Sequence, residues 1–243
     1  MTGPQVGMWV VTGSAYVTEI CAGSGLDFLV IDAEHAPNDV PSLVPQLQAA
    51  AAYPIRVLVR APSGDPVLIK QLLDIGVTNL MVPMVESAAQ ARDLVAATRY
   101  PPEGVRGVGG AFARAARWGR VPDYLDVAAE GLTLTVQIES RRGLDELTDI
   151  AKVDGVDEVF FGPADLAASL GHLGQPEHPE VIAAIEEAVA TVTALGKVVG
   201  VNAFGESTAR RYFAAGARFV AIGADVTLLA RGSEALAARH HKP

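Results

Sequence analysis

Eight short β-rich apolar runs alternate with longer helix-like segments along the whole 243-residue chain. The runs are Val6–Val11, Phe28–Ile31, Arg56–Arg60, Leu80–Val82, Leu132–Ile138, Val159–Phe161, Val198–Val201 and Phe219–Ile222. Between them, Val40–Ala52, Pro66–Ile75, Ala88–Thr98, Pro179–Leu195 and Ser207–Ala215 carry helical periodicity. Gly76, Gly196 and Gly216 follow three of these as stops suited to left-handed backbone. Strict alternation calls for parallel strands joined by right-handed crossovers. Eight repeats at this length predict an α/β fold, a single (β/α)₈ TIM barrel over residues 1–243.

Two intervals depart from the rhythm. Tyr100 to Gly131 separates the fourth helix from the fifth strand by far more than an ordinary loop, and it holds Arg106, Arg114, Arg117 and Arg120. It is expected to be an active-site loop or an oligomer contact. The last segment, Val226–Arg239, is rich in leucine and alanine around nearly its whole circumference. Such a helix either packs on the barrel or forms a subunit interface.

Half of the residues are hydrophobic and 19% are charged, so the chain can bury a core large enough to offset its ordering entropy. With 28 acidic against 19 basic side chains the net charge is −9, and no cluster of lysine or arginine offers a footprint for nucleic acid or anionic lipid. Cys21 is the single cysteine, which excludes an intrachain disulfide and a cysteine zinc site. The start Met1-Thr2-Gly3-Pro4-Gln5 lacks a basic n-region, and no apolar stretch reaches membrane-spanning length. A cytoplasmic protein is expected.

In a parallel barrel, chemistry belongs at the C-terminal strand ends. Strand two runs directly into Asp32-Ala33-Glu34-His35, two carboxylates and an imidazole. Arg60 has the strand parity opposite to Val57 and Val59, so it should point into the mouth, where it can hold a carboxylate or an oxyanion. On strand five, Leu134, Val136 and Ile138 share one parity, while Thr133, Thr135, Gln137 and Glu139 share the other and should line the barrel. Gly162-Pro163-Ala164-Asp165 places a further carboxylate after strand six, either in the mouth or merely capping the next helix. Glu139 and Asp165 together point to a hard divalent ion, Mg²⁺ or Mn²⁺, bound through oxygen. The four lysines, Lys70, Lys152, Lys197 and Lys242, lie off the strand ends, which disfavours Schiff-base chemistry. No phosphate-binding glycine motif occurs.

Five segments in order, Asp32-Ala33-Glu34-His35-Ala36-Pro37-Asn38, Ile69-Lys70-Gln71-Leu72-Leu73-Asp74, Arg99 through Gly107, Val136-Gln137-Ile138-Glu139 and Gly162-Pro163-Ala164-Asp165-Leu166, resemble the 4-hydroxy-2-oxoheptanedioate aldolase family. This family comprises class II pyruvate aldolases of the phosphoenolpyruvate/pyruvate barrel superfamily. The resemblance runs from Gly7-Met8-Trp9 to Leu228-Leu229-Ala230-Arg231. It implies metal ligation by Glu139 and Asp165, with Mg²⁺, Mn²⁺ or Co²⁺ as the divalent cation and Zn²⁺ admissible. It implies that Arg60 contacts the keto oxygen of a 2-oxo acid, and that His35 performs acid–base work paired with Asp74 of a neighbouring subunit. Gln137, Gly162, Ala164 and Asp165 match the pocket for the substrate carboxylate. The implied partners are a 2-oxo acid and an aldehyde, and the implied assembly is a homohexamer, a dimer of trimers. One departure from the family pattern is Val201-Asn202-Ala203-Phe204-Gly205, where an apolar, leucine-containing stretch is usual; it should border the aldehyde side of the pocket. The competing expectation within the superfamily is a C–C lyase acting on an acyl-CoA thioester, for which the arginines of the long loop are the only candidate groove.

Overall fold

A computed structural model describes residues 3–240. Met1, Thr2 and residues 241–243, with the Lys242 mentioned above, lie outside the described residues. The strands are β1 (Gln5–Val10), β2 (Phe28–Asp32), β3 (Arg56–Arg60), β4 (Asn79–Val82), β5 (Thr133–Ile138), β6 (Glu158–Phe161), β7 (Val198–Asn202) and β8 (Phe219–Ala224). They pair in sequence order, all parallel, and β8 closes on β1. The predicted eight-stranded barrel is therefore observed, each strand within one or two residues of its expected bounds.

Helices α1 (Ala15–Ala22), α2 (Val40–Ala50), α3 (Pro66–Asp74) and α4 (Ala88–Thr98) follow the first four strands. The long interval to β5 contains only α5 (Tyr124–Val127). Then come α6 (Arg141–Asp145), α7 (Leu147–Ala151), α8 (Pro163–Ser169), α9 (Pro179–Ala194), α10 (Glu206–Ala215) and α11 (Asp225–His240). Their ends follow local chemistry. Asp39 and Ser42 form a capping box on α2, and Asp65 caps α3 ahead of Pro66. Gly76, Gly196 and Gly216 all take positive φ where their helices stop, at 100°, 77° and 118°.

Strand parity sorts the interior into two shells. One parity, including Val59, Leu134, Val136 and Ile138, packs outward against the helices in the main core. The other fills the lumen with Phe28, Val30, Leu58, Met81, Phe160 and Phe219. Three of these rings meet in the middle, Phe28 edge-on to Phe219 and Phe160 tilted against it. They fit because Gly7 and Gly200 carry no Cβ, which would collide with Phe28 and Phe219 respectively. Below this apolar plug, at the N-terminal end, Arg56 pairs with Glu158 at 2.7 Å and bonds Asn79, while Thr135 donates to Glu158. Above it lies the mouth.

Helix α11 contradicts the expectation that Val226–Arg239 is buried on the barrel. Asp225 is its only buried residue, and Leu228, Leu229 and Leu236 are 57% to 67% exposed. Asp225 anchors the helix start instead, accepting from the Val11 and Thr12 amides and the Thr12 hydroxyl.

Candidate active site

The mouth is assembled from the ends of seven strands, all but β4, around a cavity of about 250 Å³. Strand β3 delivers Arg60 upward, as its parity requires. Its Nε and Nη2 donate to the two oxygens of Asp32, both at 2.8 Å, a side-on bidentate pair that fixes the guanidinium plane. Its Nη1 lies 3.0 Å from Glu34, and its face stacks over the Trp9 ring at 4.3 Å. Trp9 is held in turn by its Nε1, which donates to Asn202 Oδ1 at 2.9 Å. The arginine is thus immobilised while keeping N–H groups beyond those given to Asp32.

Glu139 stands at the end of β5, 2% exposed. It accepts from the Met84 amide at 2.9 Å and from Gln137 Nε2. Met84 adopts a left-handed φ of 54°, a strained conformation for its residue type, to present that amide. Burial pushes the Glu139 carboxyl from its ordinary 4.5 up to about 7, against the lowering effect of the Met84 bond, and the charges of Asp165 and Glu34 raise it further. Burial likewise raises Glu34, outweighing Arg60. Gly162 is required beside this pair, because a Cβ there would strike Glu139 Oε2 and lie 2.7 Å from Gln137 Nε2. Asp165 sits in the first turn of α8, whose N-cap position is occupied by Gly162. It faces the mouth cavity with Ala164, Arg60 and Glu139.

The residues present fit a divalent cation. Four carboxylates, Asp32, Glu34, Glu139 and Asp165, surround one guanidinium, leaving a negative surplus in a desolvated setting. Gln137 Oε1 is buried without a hydrogen-bond partner, and Glu34 Oε2 has only its ion pair with Arg60. Oxygen-only donors at this charge density suit Mg²⁺ or Mn²⁺.

The structure brings Arg60, Gln137, Glu139, Gly162, Ala164, Asp165 and His35 to one cavity. His35 stands at its rim with its side chain 66% exposed, 3.8 Å from Glu34. Asp74 is elsewhere, at the end of α3, paired at 2.7 Å with Arg106, which also stacks on Tyr100. Within one chain it does not meet His35. Sequence reading missed the positioning roles of Asp32, Trp9 and Asn202; their lumen parity was the available signal. It had none for Met84.

The candidate groove for a CoA thioester fails on position. Arg106, Arg114, Arg117 and Arg120 line a separate cavity of about 530 Å³ with Gly76, Thr78, Gly131 and Leu132. These last residues precede β4 and β5, so the cavity opens at the opposite end of the barrel from the mouth. Arg114 is further committed to the Ile75 carbonyl at 2.8 Å.

A parallel barrel with an arginine clamp and surplus carboxylates at its C-terminal mouth has the build of an enzyme for small-molecule substrates. Residues 5–232 match the model of the HpcH/HpaI aldolase/citrate lyase family. A 4-hydroxy-2-oxo-heptane-1,7-dioate aldolase of Klebsiella pneumoniae is 56% identical over 97% of this chain and 89% of its own length. A protein of the same name from Salmonella paratyphi A is 54% identical over 97% and 90%. The crystal structure of an HpcH/HpaI aldolase/citrate lyase family protein from Burkholderia cenocepacia superposes with a TM-score of 0.93 at 42% identity, covering 98% of this chain and 94% of that one. The chain belongs to the HpcH/HpaI aldolase family, and it is a metal-dependent carbon–carbon lyase of the aldolase class.

Proposed function

We propose that the enzyme reversibly joins pyruvate, or a close 2-oxo acid such as hydroxypyruvate, to an aldehyde, with cleavage of a 4-hydroxy-2-oxo acid such as 4-hydroxy-2-oxoheptanedioate as the reverse reaction. The observation that carries this reading is the immobilised Arg60 beside the buried, surplus-charged pair Glu139 and Asp165. Glu139 and Asp165 would hold the divalent ion, which would supply Lewis acidity to the bound 2-oxo acid. Arg60 directs its remaining N–H groups at the keto oxygen, where negative charge develops as the C3 proton leaves. Gln137 and the backbone at Gly162, Ala164 and Asp165 receive the carboxylate end.

His35 exchanges protons with the substrate or a water molecule. Its exposure argues that it needs a second group to orient it, and Asp74 of a neighbouring subunit is that group. The exposed leucines of α11 favour the assembly this requires, a homohexamer built as a dimer of trimers. Asn202 and Phe204 stand where mouth and outer cleft meet, and they select the aldehyde.

The test is turnover of EDTA-stripped protein with pyruvate and a panel of aldehydes. Adduct formation that returns with Mg²⁺ or Mn²⁺ and is absent in Glu139→Gln supports the reading. Metal-independent turnover, or a wild-type level in Glu139→Gln, contradicts it. Activity should fall on dilution in step with dissociation of the assembly, and a fully active monomer removes the intersubunit role of Asp74.

A further inference from the structure

We propose that His172, His178 and Glu180 form a second metal site, for a borderline transition ion such as Zn²⁺, separate from the oxygen-lined mouth. One ligand atom from each of the three lies within 4.8 Å of the others. His172 sits in the turn after α8, held by its amide to the Ala167 carbonyl at 2.7 Å. His178 is the N-cap of α9, and Glu180 lies in the first turn of that helix. The Gln175 amide donates to the His172 carbonyl and the His178 amide to the Gln175 carbonyl, both at 2.9 Å, so the backbone fixes the separation of the two imidazoles.

The side chains are already gathered. The rings of His172 and His178 stack at 3.6 Å with an interplanar angle of 15°. A neutral imidazole offers one nitrogen lone pair to a metal ion, so the two stacked rings bring two such donors side by side. His172 Nε2 is 2.8 Å from Glu180 Oε2, a proton lying between them. A metal ion takes the place of that proton. His178 Nδ1 accepts the Glu180 amide at 3.3 Å, and ligation through either nitrogen surrenders only this long, weak cap. The rings must open from their stack to aim both lone pairs at one point, a side-chain rotation that the partly exposed surroundings permit.

Two imidazoles and one carboxylate suit Zn²⁺, Ni²⁺ or Co²⁺, with water completing the shell. Mg²⁺ prefers oxygen and retains its own water. The two centres are therefore distinguished by ligand chemistry. His178 also lines the outer cleft of about 710 Å³, which shares Pro163, Asn202 and Phe204 with the mouth. An ion here pins the α8–α9 turn along that cleft.

The experiment counts metal in EDTA-stripped, full-length protein equilibrated with Zn²⁺ alone or Mg²⁺ alone. Zn²⁺ is expected at two equivalents per chain, falling to one in His172→Ala and one in Glu139→Gln. Mg²⁺ is expected at one, unchanged in His172→Ala. Should the mouth not bind metal, Glu139→Gln leaves the zinc count unaltered while His172→Ala still removes one equivalent. A zinc count that His172→Ala leaves unchanged overturns the proposal. NMR of the unsubstituted protein gives a check that needs no variant: the imidazole resonances of His172 and His178 should shift with Zn²⁺ and stay with Mg²⁺, and unmoved resonances under Zn²⁺ overturn it equally.

Discussion

At the N-terminal end of the lumen Arg56 meets one carboxylate, Glu158, whose other contact is the Thr135 hydroxyl. At the C-terminal end Arg60 meets Asp32 and Glu34, while Glu139 and Asp165 face the same cavity. Both arginines come from β3, four residues apart and of one parity, with the apolar plug between them. The lower end is balanced in charge; the upper end is not. That imbalance costs stability, visible in the raised Glu139 carboxyl, and it persists where a cation and an anionic substrate would relieve it.

The comparison breaks most readily by reversing the expected effects at the two ends. Glu139→Gln should lower turnover by roughly 10³-fold or more, since the ion it holds contributes several kcal/mol to the transition state. Steady-state kinetics checks this, and the folded protein should remain. Arg60→Ala should cost about 10²–10³-fold in kcat, the scale of one preorganised oxyanion donor. Arg56→Ala should do the opposite, sparing kcat per folded molecule while lowering stability by about 2–4 kcal/mol through a buried, unpaired Glu158. Urea unfolding measures it. Asp32→Asn sharpens the picture within the upper end: Arg60 stays but loses its clamp, and turnover should fall about 10–100-fold.

The smallest effect concerns pH. The folded-state value of Glu139, about 7, lies above its ordinary 4.5, so the metal-stripped fold binds this proton more tightly than the unfolded chain. Its contribution is fully present below pH 4.5 and is lost as pH rises through about 7. Melting temperatures of stripped protein should drop across that window by an amount equivalent to at most ~3 kcal/mol. Glu139→Gln should flatten the drop.

The barrel was legible because its signal is repeated eight times, and period-two parity separated Gln137 and Glu139 from Leu134, Val136 and Ile138 correctly. Arg60 was legible for the same reason. Parity says which way a side chain points, however, and not what it meets there. The Asp32 clamp, the Trp9 stack and the Asn202 anchor depend on strand ends brought together by closure, up to 193 positions apart in sequence. The strained Met84 amide left no trace in residue type. For α11, composition could not distinguish a helix buried on its own barrel from one left exposed, since both require an apolar surface.

The most direct measurement is solvent-deuterium exchange into the methyl group of pyruvate, followed by NMR without any aldehyde. It isolates enolisation, the step assigned to the upper end of the lumen. The account predicts exchange that disappears with EDTA, returns with Mg²⁺ or Mn²⁺, is lost in Glu139→Gln and survives in folded Arg56→Ala. Exchange that persists in Glu139→Gln, or none with any divalent ion, would contradict it.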